Sequence, residues 1–317
     1  MLKIFLDLQR EVALKILQFL ILVTCILLTS CERTKKVEIK KEKIGDAEIA
    51  YYTRGSGEPL IMIMGFRGTM AAWDPGLLAI LEKQFKLILF DNRGVGFSTD
   101  TATTPLTISQ MADDASQLVK ALGYQKAHVL GWSMGSRIAM DMALRHPEMV
   151  QTLILCAPNP GGKHQAPRPT NAYQHMTSRN VSEEEVLSLI FPNTLEGRKS
   201  AAAFVTRLTT AMIRKKVPDD LKVSQETIER QVRALQLWDE DNQVFDNLRH
   251  IKAPTLVAGG LEDSLDNPKN VQLIASQIPF AWSAYFAGAG HNFLSQDYQA
   301  FADLILLFNT SANPSQL

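Results

Sequence analysis

The residues that could do chemistry gather around one serine. Ser133 lies in Gly131-Trp132-Ser133-Met134-Gly135, after a short apolar run (Ala127 to Leu130) and before a stretch with Ile138, Met142 and Ala143 at helical spacing. A strand, a tight turn and a helix in that order make the G-x-S-x-G nucleophile elbow. So sharp a turn leaves almost no room beside the serine, which accounts for Gly131 and Gly135, and its strain lifts the hydroxyl clear of the sheet. The following helix directs backbone N–H groups, Met134 first, at any oxyanion formed there.

A serine hydroxyl is a poor nucleophile near neutral pH and needs a base within hydrogen-bond reach. The chain has six histidines: His128, His146, His164, His175, His250 and His291. His128 falls inside the strand before the elbow, and His146 at the far end of the elbow helix. His164 and His175 sit in a polar stretch that leads into a helical segment, and His250 precedes a strand's N-terminal end. Only His291 follows the carboxyl end of a strand, on the small-residue turn Ala287-Gly288-Ala289-Gly290, where its ring can face the serine.

The elements that must position these groups are legible in order. Lys36–Lys41 and Ala47–Thr53 flank Ile44-Gly45-Asp46 as an antiparallel hairpin. Pro59–Met64 is a fully apolar run, the mark of a strand buried on both faces; Phe85–Phe90 reads as the next buried strand, and Thr152–Cys156, Pro254–Ala258 and Trp282–Phe286 as further strands. Helices are expected over Pro75–Gln84, after the capping-box pattern Thr107…Gln110, after the elbow, around Val271–Ala275, and at the end around Phe301–Ile305. Alternation of buried strands with helices predicts an α/β fold with a mostly parallel, doubly wound sheet. Between Asn159 and His250 the strand signal vanishes. A Pro/Gly-rich lead, a second capping box (Ser182 with Glu185) and the stripe Ile228, Val232, Leu235, Trp238 predict an all-helical cap over the sheet's carboxyl edge. Phe191, Phe204, Met212 and Trp238 are candidates for its inner face.

Composition narrows the partners. A formal net charge of zero over 317 residues gives no reason to expect nucleic acid or an acidic polymer. The N-terminus is distinctive: Ile16–Leu28 is a mostly apolar run, short for a bilayer span and suited to a signal-peptide core. Its end, Leu28-Thr29-Ser30-Cys31, resembles a bacterial lipobox. That resemblance implies a signal peptide over 1–30, lipid on Cys31, a polar tether over 31–44 and a place in the bacterial cell envelope. Glu32 favours the outer membrane where the host has one; an uncleaved anchor is the alternative. Of the three cysteines, Cys156 remains for the core, so neither a disulfide framework nor a metal-ligand spacing exists.

Taken together, Gly65–Gly68, Asp91–Ser98, Gly131–Gly135, Gly260–Asp263 and Gly290–His291 resemble the motifs of the α/β-hydrolase family, in that family's order. The resemblance covers roughly 45–310, with 45–158 and 251–310 as core and 159–250 as cap. It implies a catalytic acid after the post-cap strand. The loop there offers Glu262, Asp263 and Asp266, and the family's Gly-x-x-Asp pattern selects Asp263, with Asp266 in reserve. It also implies an oxyanion hole from the N–H groups of Met134 and Phe66, although Met64 stands where the family often has histidine. Arg67 is expected at the surface, and Asp91, Arg93, Gly94 and Gly96 as a structural turn. A serine at the elbow argues against the dehalogenase and epoxide-hydrolase branches, which use aspartate. The implied activity is hydrolysis of a small to medium carboxylic ester without metal or cofactor. Lactonase, C–C hydrolase, aminopeptidase and cofactor-free perhydrolase chemistry use the same residues, and a non-catalytic binding protein on this scaffold is the alternative of another class.

Overall fold

A computed structural model of the chain describes residues 36–100, 105–179 and 181–312; the proposed signal peptide and Cys31 lie outside the described residues. Eight strands form one sheet: β1 (Lys40–Ile44), β2 (Ala47–Arg54), β3 (Glu58–Ile63), β4 (Phe85–Phe90), β5 (Ala127–Trp132), β6 (Val150–Cys156), β7 (Thr255–Gly260) and β8 (Ala281–Phe286). Their spatial order is β1-β2-β4-β3-β5-β6-β7-β8. β1 and β2 are an antiparallel hairpin edge, and every pairing from β4 to β8 is parallel. The expected α/β architecture, mostly parallel and helix-flanked, is therefore the one observed.

The apolar runs become central strands because helices cover both faces. Along β3, Leu60 and Met62 face one side and Ile61 and Ile63 the other, all fully buried. On the first side lie α1 (Pro75–Leu81) and, much later in the chain, a long C-terminal helix carrying Phe301, Ile305 and Phe308. On the other lie α2 (Ile108–Ala121) and α3 (Met134–Arg145), with Met111, Leu118, Ile138 and Met142 in the core. The order reverses between β3 and β5, and such a switch point opens a crevice beyond the strands' carboxyl ends. The loop after β3 and the elbow after β5 both border that crevice.

Between β6 and β7 the chain is helical: α4 (Ala172–Met176), α5 (Glu183–Ile190), α6 (Leu195–Ile213), α7 (Gln225–Glu240) and α8 (Gln243–Asn247). After β7 come α9 (Lys269–Gln277), α10 (Phe293–Gln296) and α11 (Tyr298–Ala312). None of the described helices is long and apolar enough to cross a membrane.

Two local expectations are corrected. The hairpin starts at Lys40 rather than Lys36, because Val37 N–H donates to the Lys215 carbonyl of the cap instead of pairing within the sheet. Thr107 does cap α2, its hydroxyl accepting from Gln110 N–H, but the Gln110 side chain turns to Asp114 at 3.3 Å and leaves the box open. The box at Ser182 and Glu185 closes in both directions.

Candidate active site

The elbow is built by close approach. A Cβ on Gly135 would lie 2.0 Å from the Ile63 carbonyl oxygen, and one on Gly131 would lie 2.1 Å from that of Gly135. Only glycine lets strand, turn and helix pack this tightly. Ser133 is held at φ 58° and ψ −118°, a region that side chains avoid. Its N–H donates to the Cys156 carbonyl at 2.9 Å, and its carbonyl accepts from Ser136 N–H and Oγ. The strained residue is fixed from both sides, and its side chain projects into the crevice.

His291 follows β8 on the turn the sequence indicates and is buried. Its Nδ1 lies 2.8 Å from Asp263 Oδ2. The other oxygen of Asp263 accepts from Leu265 N–H at 2.8 Å and Asp266 N–H at 3.0 Å, which fixes the carboxylate's plane. Trp132 packs its ring against His291 and donates from Nε1 to the His291 carbonyl. Burial alone would lower the imidazole's pKa, but the Asp263 carboxylate, helped by Asp266, outweighs it and holds the group above its ordinary value; Arg137 opposes this. Ser133 and His291 line the same cavity without a closed hydrogen bond between them; such bonds are often loose in apo sites and tighten with substrate.

The loop after β3 approaches Ser133 from the other side. A Cβ on Gly65 would fall 2.9 Å from the Trp132 carbonyl oxygen and 3.1 Å from Ser133 Cβ, so Phe66 begins directly beside the serine. Neither the Phe66 N–H nor the Met134 N–H is taken by another group among the described residues. Two free donors on adjacent walls of a cavity are what an oxyanion requires. Arg67 is not at the surface as expected. It sits at φ 61°, its N–H donates to Gln231 of α7, and its guanidinium donates to the Met176 and Ser178 carbonyls, binding loop to cap. Asp91 likewise acts as architecture, accepting from Met70 N–H and Phe97 N–H, while Arg93 pairs with Asp114 at 2.6 Å.

The other sequence candidates are dispersed. Glu262 is exposed, and Asp266 pairs with Arg137, leaving the hydrogen bond to the imidazole to Asp263. His128 bonds Thr152 and Glu58, His146 bonds Asp113, His175 bonds Glu185, and His164 stacks on Phe245. Above the serine and histidine lies a cavity of about 640 Å³. Phe204 and Met212 line it, as anticipated, whereas Phe191 packs behind Phe204 and Trp238 turns away to donate to the Asn159 carbonyl. Val186, Leu187, Leu208 and Leu235 complete a mostly apolar roof.

The family model for the alpha/beta hydrolase fold matches residues 58–298. The chain belongs to that family. A solved alpha/beta hydrolase fold protein from Chitinophaga pinensis superposes with a TM-score of 0.76 at 26% identity, over 86% of this chain and 97% of that one. A relative from Mycobacterium tuberculosis, BpoC, named for non-heme bromoperoxidase activity, is 28% identical over 77% of this chain and 90% of its own length. Another, RutD of Caulobacter sp. K31, named for carbamate hydrolysis, is 35% identical over 98 residues. That match takes in 31% of this chain and 36% of the relative, so it spans only about a third of that relative's length.

Proposed function

We propose that this protein is a serine hydrolase that cleaves small to medium carboxylic esters through an acyl-enzyme on Ser133. The observation that carries the reading is the 2.8 Å contact between His291 Nδ1 and Asp263 Oδ2, in a cavity shared with Ser133. With Nδ1–H held by the carboxylate, Nε2 carries the lone pair and can accept the serine proton as Oγ attacks the ester carbonyl. The oxyanion is received by the Phe66 and Met134 N–H groups. His291 then protonates the leaving alcohol. In the second half it deprotonates a water, which releases the carboxylic acid and restores the serine. The apolar roof supports an ester with a modest hydrocarbon group on at least one side of the scissile bond.

Fluorophosphonate labelling of the full chain in detergent tests the activated serine. Wild type is expected to be labelled and Ser133→Ala not; equal labelling of the two would remove Ser133 as nucleophile. A panel of esters of increasing acyl length, with lactones and carbamates alongside, then tests the substrate class. The reading loses its ester specificity if a carbamate or lactone outruns every ester. We also propose an envelope location through acylation of Cys31, which the lipobox-like Leu28–Cys31 supports. Incorporation of labelled palmitate that persists in Cys31→Ser would sink it.

A further inference from the structure

Beneath the apolar cavity, next to the triad, lies a charge pair that the mechanism above does not use. Arg137 is on α3, one turn beyond Ser133, and is 1% exposed; Asp266 follows Asp263 by three residues and is 3% exposed. Arg137 Nη2 lies 3.4 Å from both carboxylate oxygens of Asp266. Asn159 donates to Asp266 Oδ1 at 2.8 Å, and the Asp266 backbone N–H donates to Asp263 Oδ1 at 3.0 Å. One residue thus connects the loop after β6, the elbow helix and the catalytic acid. Arg137 and Asp266 both border the cavity, and Arg137 Nε is buried without a hydrogen-bond partner among the described residues.

Two buried charges cost more in desolvation than a hydrophobic pair of the same shape, so stability is a weak reason for their presence. Electrostatics gives a stronger one. His291 must alternate between neutral and charged forms, and two buried carboxylates stand close to it. Left unopposed, Asp266 would favour a permanently charged imidazole that could not act as a base. We propose, on the basis of the triad reading, that Arg137 and Asp266 are positioning residues: Asp266 holds the acid loop under His291, and Arg137 offsets its charge so that Asp263 dominates the polarisation of the imidazole.

The groups that face His291 are Asp263 and Asp266 from the acid loop and Arg137 from α3. Arg168, Asp239 and Tyr173 stand one step further out: Arg168 bonds Asp239 at 2.8 Å and covers the Tyr173 ring. Glu262 is exposed to solvent, and Glu183 and Lys222 lie at the cavity's solvent-exposed wall. Burial pushes the Asp266 carboxyl up, but Arg137, followed by His291 and Arg168, holds it below the usual range, so the pair stays ionised around neutral pH.

The test is the pH dependence of fluorophosphonate labelling of Ser133 in the full chain. Arg137→Met leaves Asp266 unopposed and should move the acid-limb midpoint up by about one pH unit, slowing labelling on that limb about tenfold. Asp266→Asn keeps the side-chain shape and the backbone bond to Asp263, and should move the midpoint down. Arg137→Lys and the double variant Arg137→Met/Asp266→Asn should return it to near the wild-type position. A purely structural role would lower the labelling amplitude without opposite displacements, and coincident midpoints in the two single variants would overturn the proposal while leaving the triad intact. Absence of labelling in wild type would overturn the triad reading itself and this proposal with it. Melting curves screen each variant, and where Arg137→Met does not fold, Asp266→Asn decides alone: a midpoint that stays or rises ends the idea.

Discussion

The floor of the cavity and its roof are built on opposite principles. In the floor, each group of the proposed triad is held by specific polar partners: the Ser133 backbone by Cys156 and Ser136, Asp263 by Leu265, Asp266 and His291. The central strands β3, β5 and β7 beneath are largely buried, and Gly131 and Gly135 of the elbow allow no added atom. In the roof, α5, α6 and α7 present apolar side chains to the cavity, and the side-chain bonds that fasten cap to core, among them Arg67 to Met176 and Arg207 to Asp74, leave the apolar lining itself unbonded. Hydrogen bonds fix direction, which proton transfer needs; dispersion and burial fix only volume, which suffices to select a hydrocarbon. The division teaches that chemistry and selectivity should be separable by mutation.

The sharpest break in that contrast is at the floor. Asp263→Asn keeps the size of the side chain but cannot hold the same histidine tautomer, and turnover should fall about ten-thousand-fold with little change in melting temperature. A loss under tenfold, seen in steady-state kinetics on the best ester, would mean that another group orients His291. Next in size comes the roof. Leu208 lines the cavity and is 7% exposed. Leu208→Ala should raise kcat/KM for longer acyl chains relative to short ones by about tenfold, while Ser133 labelling stays within a few-fold of wild type. If labelling collapsed instead, the roof would be part of the chemical machinery and the division would be false.

The pH response sharpens the same comparison. Because the folded His291 imidazole is held above its ordinary value of 6.5, its proton is bound more tightly in the folded chain. Its contribution to stability is therefore complete below 6.5 and lost as pH rises through the folded value. Activity should do the reverse, rising over that range as the base becomes neutral. Asp91, pushed up to about 7 by burial, adds a stability slope of the same sign, lost as pH climbs toward 7. Melting curves of wild type and His291→Gln across pH 5–9 separate the two. The difference between them should change as pH rises and level off at high pH, and a difference constant throughout would refute the linkage.

Much of the floor was legible in the sequence because its constraints are local. The elbow needs glycines two residues either side of Ser133, and His291 stands alone among the histidines in following a strand end. The choice among Glu262, Asp263 and Asp266 was not local; it depends on which side chain the loop's own N–H groups capture, and Leu265 and Asp266 capture Asp263. Arg137 went unread, since nothing in a helical stretch shows that its guanidinium meets a carboxylate 129 residues later. The roof was legible only in outline. Periodicity identified apolar faces but not which residues on them reach the cavity, so Trp238 and Phe191 looked equivalent to Phe204 and Met212. The deciding contacts, Trp238 to the Asn159 carbonyl and Phe191 behind Phe204, belong to tertiary packing.

The smallest expected effect tests whether the roof can loosen without disturbing the floor. α6 brings Phe204, Leu208 and Met212 to the cavity, and its first turn is capped by Thr194, whose hydroxyl accepts from Gly197 N–H at 3.0 Å. Thr194→Ala leaves that donor to solvent and should cost about 1 kcal/mol. Thr194 is itself exposed, so the cost should appear as faster amide exchange in α6 and a modest rise in KM for long-chain esters. Labelling of Ser133 should not change, because no bond of the floor passes through Thr194. A slower labelling rate in this variant would show that order in α6 reaches the nucleophile, and that floor and roof are coupled through the helix rather than merely apposed.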